Sequence, residues 1–247
     1  MRQARFLAVG ALALGLSVGP LAAPAAPAGG PFAGMSAQKV LSVSIAAAVA
    51  ERSVACTTTD RVSSSRTLVK ATTILGRSSG EERATGTYEG RSVQATLIVV
   101  GDRVYVDGNK AGLEAPMLVG MLAATAAKYA GRWFYGPISN EPFDILAADL
   151  TLAKNAFDGI LLAPYSLGRE VEVDGQEVVG VHGRLGTGAE GKDTSGWLFV
   201  AVSGTHLPVR YDATATSGKT VYGYQTDFSH WNAAVRVQPP KGAVAYS

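Results

Sequence analysis

Between residues 115 and 162 two apolar segments with helical spacing interrupt a chain that otherwise reads as β-strand. This one interruption limits the possible folds more than any other feature. In its first half Leu118, Met121, Leu122, Thr125 and Tyr129 recur at the spacing of one helix face. In its second half Phe143, Leu146, Ala147 and Leu150 do the same, and Phe157, Ile160 and Leu161 continue the stripe. Gly131-Arg132-Trp133-Phe134-Tyr135-Gly136-Pro137 joins the halves, a helix stop followed by a short strand. One apolar stripe suffices to cover one sheet face, yet Met117, Val119, Ile145, Leu152 and Leu162 add apolar side chains outside it. Either the core is thick or it surrounds something, and these five are expected to line a cavity or its entrance rather than face water.

On either side of the interruption the pattern is β. Segments 53–59, 67–75, 82–88, 92–100 and 103–107 precede it, and 170–173, 177–184, 197–202, 209–214, 220–227 and 234–237 follow, rich in Val, Thr, Ile and Tyr. Gly76 to Gly80, Glu89-Gly90, Gly101-Asp102 and Val173-Asp174-Gly175-Gln176 supply tight turns. Strands so closely spaced, about 11 in all, predict an α+β domain with a single, strongly curved antiparallel sheet. In segment 92–100, Val93, Ala95, Leu97 and Val99 make one face dry, so the sheet needs a cover. An amphipathic helix carrying Val40, Leu41, Ile45 and Val49 and the central insertion are the covers available.

The N-terminus reads as an export signal. Arg2 and Arg5 precede an apolar run from Phe6 to Val18, and Ala23-Pro24-Ala25 and Ala26-Pro27-Ala28 offer small residues for cleavage. A run of roughly 13 residues is too short for the ~20 that span a bilayer. The expected organisation is a signal peptide over 1–28, a flexible linker over 29–35 and one domain over 36–247. Of 22 basic residues Arg2 and Arg5 leave with the leader, so 20 face 20 acidic ones and the mature chain is formally neutral. Without a basic excess, nucleic acid is not an expected partner. The single cysteine, Cys56, is open to lipid attachment, an intermolecular bridge or burial as a small hydrophobe. Glu51 and Arg52 lie between the apolar run 40–50 and Ser53-Val54-Ala55-Cys56, which argues against a lipobox there and for burial in a strand.

Two catalytic patterns fail on context. Gly15-Leu16-Ser17-Val18-Gly19 fits a nucleophile elbow but lies inside the leader. Gly186-Thr187-Gly188-Ala189-Glu190-Gly191 fits a dinucleotide fingerprint but leads into another strand, so no helix N-terminus receives a pyrophosphate. His182, His206 and His230 stand apart from one another, without metal-ligand spacing. No cofactor, metal or catalytic residue is expected, and paired carboxylates such as Glu81 and Glu82 or Glu170 and Glu172 read as solvated strand faces.

A helix ending in 48–53, a first strand Ser53-Val54-Ala55-Cys56, then Gly101-Asp102-Arg103-Val104-Tyr105-Val106-Asp107-Gly108, then a helix closed by Gly131-Arg132-Trp133, resembles the LppX/LprG family of mycobacterial-type lipoproteins. Val173-Asp174-Gly175-Gln176-Glu177-Val178-Val179, Gly196-Trp197-Leu198-Phe199-Val200-Ala201 and Leu207-Pro208-Val209-Arg210 fit the second half of the same family. The likeness in order and spacing covers residues 36–239. It implies a LolA/LolB-like half-open barrel with helices over its concave face and an apolar cavity for acyl chains. The resemblance further implies a carrier of lipids or glycolipids in the cell envelope, without a chemical reaction. The chain departs from the family in lacking a lipobox cysteine behind its leader, so free secretion or transient contact with a membrane surface is expected.

The expected reading is therefore a secreted or envelope lipid carrier, not an enzyme, acting as a monomer. Its expected ligand-lining residues are Val93, Leu97 and Val99 on the sheet and Leu118, Met121, Leu122, Phe143, Leu146, Leu150, Phe157, Ile160 and Leu161 on the covering helices. Two alternatives stay open: an envelope sensor or protein-binding module with a packed interior, and a secreted hydrolase using one of the three histidines.

Overall fold

A computed structural model describes residues 30–152, 156–157, 159–185 and 193–247. The leader and the glycine-rich pattern at 186–191 lie outside the described residues. The first element is helix α1 (Ala37–Ala50), started by Ser36, whose hydroxyl accepts the Lys39 amide hydrogen at 3.2 Å. Val40, Leu41, Ser44 and Ala48 form its buried stripe, and the backbone turns extended at Glu51. The described part of the expected linker, residues 30–35, is a turn with Phe32 only 3% exposed in the core.

Five long strands follow: β1 (Ser53–Val62), β2 (Thr67–Gly76), β3 (Ser79–Tyr88), β4 (Arg91–Val100) and β5 (Arg103–Gly108). The insertion then supplies α2 (Lys110–Glu114), α3 (Ala123–Tyr129), the short strand β6 (Phe134–Pro137) and α4 (Phe143–Asp149). The second meander is β7 (Leu162–Val173), β8 (Gln176–Arg184), β9 (Asp193–Ala201), β10 (Pro208–Ser217) and β11 (Thr220–Ser229), with β12 (Val244–Ala245) last. At the β7–β8 turn Asp174 and Gly175 have φ of 51° and 79°, the left-handed pair that a two-residue hairpin turn requires.

All of these strands join one sheet in the order β12-β6-β5-β4-β3-β2-β1-β11-β10-β9-β8-β7. Neighbours are antiparallel except β12 and β6, which run parallel, so the sheet is mixed rather than purely antiparallel. Two local meanders spread in opposite directions from β1 and β11, which pair from Ala55↔Ser229 to Val62↔Tyr222. The sheet does not close: β12 and β7 are its free edges.

Two expectations require correction. Segment 234–237 is not a strand, although its alternation suits one, because β1 already has β2 and β11 on its two sides. The true last strand, two residues long, adds to the outer edge of β6. The insertion is also less helical than its periodicity suggests. Pro116 holds Ala115 extended and Gly120 takes a φ of 72°, so residues 115–121 form turns between α2 and α3. Past α4, Gly159 has a φ of 74°, and Phe157, Ile160 and Leu161 lie in irregular backbone.

The insertion reaches the far side of its meander because glycines leave room. A Cβ on Gly136 would meet the Phe143 ring at 2.2 Å, so α4 can lie directly on β6. Beyond α4, the Leu152 amide donates to the Gly76 carbonyl at 2.8 Å, and a Cβ on Gly80 would lie 2.0 Å from the Leu150 carbonyl oxygen. Gly80→Ala therefore must push the 150–152 backbone off the sheet. The expected loss is about 1–3 kcal/mol, read as a lowered urea midpoint with an unchanged slope.

Candidate functional site

The strand registers sort side chains by face. On β1 the inward set is Val54, Cys56, Thr58, Asp60 and Val62; across the ladders stand Tyr222, Tyr224, Thr226 and Phe228 on β11 and Val69, Ala71 and Thr73 on β2. Further out, Glu82 and Ala84 on β3 align with Leu97 and Ala95 on β4, while Tyr211, Ala213 and Ala215 on β10 align with Thr226, Tyr224 and Tyr222. Helix cover is uneven. Helix α1 lies against β7–β10, and α2 and α4 lie against β4–β6. None of the helices lies as closely on β1, β2, β3 or β11.

The apolar interior divides accordingly. A lid-side core unites β2–β6 with the insertion, through Val93, Leu97, Val99, Val106, Leu113, Leu118, Met121, Tyr129, Phe134, Phe143, Leu146 and Leu150. An α1-side core gathers Phe32, Val40, Leu41, Leu161, Val181, Leu198, Val200 and Tyr211. A small basal core of Ala48, Val54, Cys56, Leu152 and Phe157 lies beneath both.

Between the two large cores the concave face is a polar seam. The Thr58 and Thr226 hydroxyls hydrogen-bond at 3.0 Å, and Thr73 donates to Glu82 Oε2 at 3.3 Å. Asp60, directly opposite Tyr224 on one side and Val69 on the other, is 8% exposed. Its Oδ1 has no hydrogen-bond partner. Burial, with the Glu82 carboxylate adding to it, raises the Asp60 carboxyl to about 7. The same two causes push the Cys56 thiol up to about 12, so Cys56 is a buried, unreactive thiol. Burial raises the Tyr224 phenol as well, and Asp60 contributes. Even so, Thr58, Glu82, Tyr222 and Tyr224 keep part of their surface accessible, although β1 and β11 are the middle of the sheet.

The expected lining residues fall into different places. Val93, Leu97, Val99, Leu118, Met121, Phe143, Leu146 and Leu150 come together in the lid-side core, none more than 8% exposed. A side chain lining an open cavity keeps surface that a water-sized sphere can touch, so this half of the interior is filled. Phe157 belongs to the basal core, Leu161 to the α1-side core, and Ile160 packs between them. Leu122 is 81% exposed at the start of α3, the one residue of the set that points away from the interior. Its place in the helical stripe was illusory, since Gly120 rotates the chain between Leu118 and α3. Of the surplus apolar residues, Val119 and Leu152 are buried, and Met117, Ile145 and Leu162 are half-buried.

Asp60, Thr58, Thr226 and Tyr224 were not singled out by periodicity, which searches for apolar faces. The available signal was an acidic residue at an inward position of Ser53-Val54-Ala55-Cys56-Thr57-Thr58-Thr59-Asp60. The histidines are dispersed: His182 lies against Trp197 with tilted rings 4.8 Å apart, His206 Nδ1 lies 3.1 Å from the Ala201 carbonyl oxygen, and His230 Nδ1 lies 3.0 Å from Ser229 Oγ. Among the described residues no group of three or more His, Cys, Asp or Glu side chains is placed to hold a metal ion. A groove of about 460 Å³ is lined by Val173, Gln176, Pro208, Phe228, His230 and Trp231 among others, sharing with the inward face of β11 its last side chain, Phe228. Among the described residues no helix is long and apolar enough to cross a membrane.

No protein-family model and no curated protein sequence matches the chain. Solved structures do. LprF from Mycobacterium bovis superposes with a TM-score of 0.50 at 18% identity, over 83% of this chain and 97% of that one. The Mycobacterium tuberculosis lipoprotein LppX aligns with a TM-score of 0.47 at 16% identity, over 82% and 98%. An uncharacterized conserved protein from Thermus thermophilus gives 0.43 at 10%, over 85% and 98%. The chain thus shares the fold of LprF, as the sequence resemblance implied.

The Asp60 carboxyl carries a pH signature. Its folded-state value lies above the unfolded one, so its contribution is fully present below about pH 4 and is lost as pH rises through about 7. Asp60→Asn removes that term without changing shape. Relative to wild type, the variant is expected to gain stability progressively from about pH 4 to about pH 7, by a few kcal/mol at most, and to stay level above. Urea unfolding across this range measures it; parallel curves for the two proteins would show that Asp60 ionises normally.

Proposed function

We propose that the chain is an exported, non-enzymatic lipid carrier of the cell envelope, holding acyl chains on the concave face of its sheet and touching membrane surfaces only transiently. The carrying observation is the uneven cover: helices lie on both flanks, while at the sheet's centre the inward Thr58 and Val62 of β1 and Tyr222 and Tyr224 of β11 keep part of their surface accessible. A domain built only to be stable would bring apolar side chains together there. The fold shared with LprF supports the reading.

The ligand's apolar part would run along the α1-side of the seam, over Ile45, Ile160, Leu167, Ala215, Tyr224 and Phe228, all half-buried against their cores. Each methylene removed from water contributes about 0.8 kcal/mol, so a chain of on the order of ten carbons offsets the cost of association with few polar contacts. Such a site needs neither metal nor nucleophile. The lid-side residues expected to line it would instead hold the insertion in place.

The filled lid-side core favours one other reading, an envelope module that binds a protein partner around a packed interior. Organic extraction and mass spectrometry of the protein purified from its own source separate the two. A carrier is expected to release lipid, and Ala215→Trp, which fills the α1-side of the seam, is expected to release little or none. Lipid-free wild-type protein in repeated preparations would overturn the carrier reading.

A further inference from the structure

We propose that Asp60 is the polar anchor of the seam, accepting a hydrogen bond from a hydroxyl or ammonium group of an acyl ligand and excluding ligands that end in a carboxylate or phosphate. The inference rests on the carrier reading and adds to it the chemistry of the ligand's polar end.

Three observations carry it. First, Asp60 faces inward at the middle of the sheet, only 8% exposed, and no donor reaches its Oδ1. Buried polar groups are nearly always hydrogen-bonded, and an unpaired one destabilises the fold; a purely structural position here would carry another Val or Thr. Secondly, the surrounding side chains are hydroxyls: Thr58 and Thr226 bonded to each other, with Tyr224 opposite Asp60. Hydroxyls both donate and accept, so they complement a ligand hydroxyl without fixing a charge. Thirdly, the charges that face the seam are of one sign. Glu82 reaches it from β3, and among the described residues no Lys, Arg or His occupies an inward position of β1, β2, β3, β10 or β11. An anionic end group brought here would meet two acidic side chains and no cation, while a hydroxyl or an ammonium group would supply the donor that Oδ1 lacks.

The test uses three probes that share one chain and differ at one end: dodecanol, dodecylamine and dodecanoate, titrated calorimetrically at mildly alkaline pH into the delipidated full chain. Wild type is expected to bind dodecanol and dodecylamine about tenfold or more tighter than dodecanoate. In Asp60→Asn the amide can donate, so dodecanoate is expected to draw level with or overtake dodecanol, and dodecylamine to lose its advantage. Glu82→Gln is expected to move dodecanoate in the same direction by a smaller factor, which keeps the proposal testable should Asp60→Asn fold poorly. Equal binding of all three probes by wild type, or an unchanged ranking in the variants, would overturn the anchor while leaving the carrier reading intact. Binding of none of the probes by wild type would overturn both.

Discussion

The structure depends on the ladder between β1 and β11. Every other antiparallel pair in the sheet joins strands that are neighbours along the chain or separated only by the insertion, so each can form locally. The β1–β11 pair, running from Ala55↔Ser229 to Val62↔Tyr222, closes a loop of most of the domain. Its closure costs the most chain entropy and makes one sheet of two meanders. The ladder does not draw this stability from a dry interface. Its inward face carries Thr58, Asp60, Thr226 and Tyr224, and apolar packing at its base is confined to Val54, Cys56 and Phe228.

That arrangement follows from how the cover is distributed. Short helices pack well only where their apolar stripe meets a dry strand face, and the chain supplies two such places. The insertion lies over β4–β6, where Val93, Leu97, Val99 and Val106 are waiting, and α1 lies over β7–β10, where Val181, Leu198 and Val200 are. These two covers meet over the centre of the twelve-stranded sheet only at one end, where Ala48 of α1 joins Leu152 and Phe157 on Val54 and Cys56. The strands left between them must carry side chains that tolerate water, and threonines and tyrosines do so while keeping strand propensity. Asp60 is the exception, since a carboxyl there gains nothing from strand propensity and is disfavoured by burial.

The strands and their order along the chain were legible because alternation and turn residues are local. The tight turn at Asp174-Gly175, the N-cap at Ser36 and the burial of Cys56 were readable for the same reason. Helix extent in the insertion was not. Leu118, Met121 and Leu122 have helical spacing, but Pro116 and Gly120 decide the backbone there, and a hydrophobic stripe says nothing about where a helix is broken. Segment 234–237 failed for a different reason: its alternation was sound, but whether a strand has a partner is a property of the whole sheet. Periodicity assigns apolar residues to an interior without saying how densely each part of it is filled, and the expected lining residues on the lid side are among the best packed.

The filled and the accessible halves complement one another. A sheet that held acyl chains over its whole concave face would have no rigid part against which to keep its curvature. Here the lid-side core supplies that rigidity: Phe134 and Phe143 meet edge to face at 6.5 Å, Tyr129 packs on Phe134 at 4.6 Å, and backbone contacts at Gly76 and Gly80 tie the end of the insertion to β2 and β3. The α1-side is bound more loosely, through half-buried Ile45, Ile160, Leu167 and Ala215. An apolar ligand entering from that side can displace side chains that are not fully packed, at less cost than opening a dense core. The polar seam marks where the more loosely packed half ends, and on the proposed carrier reading that is where a ligand's polar end would be placed.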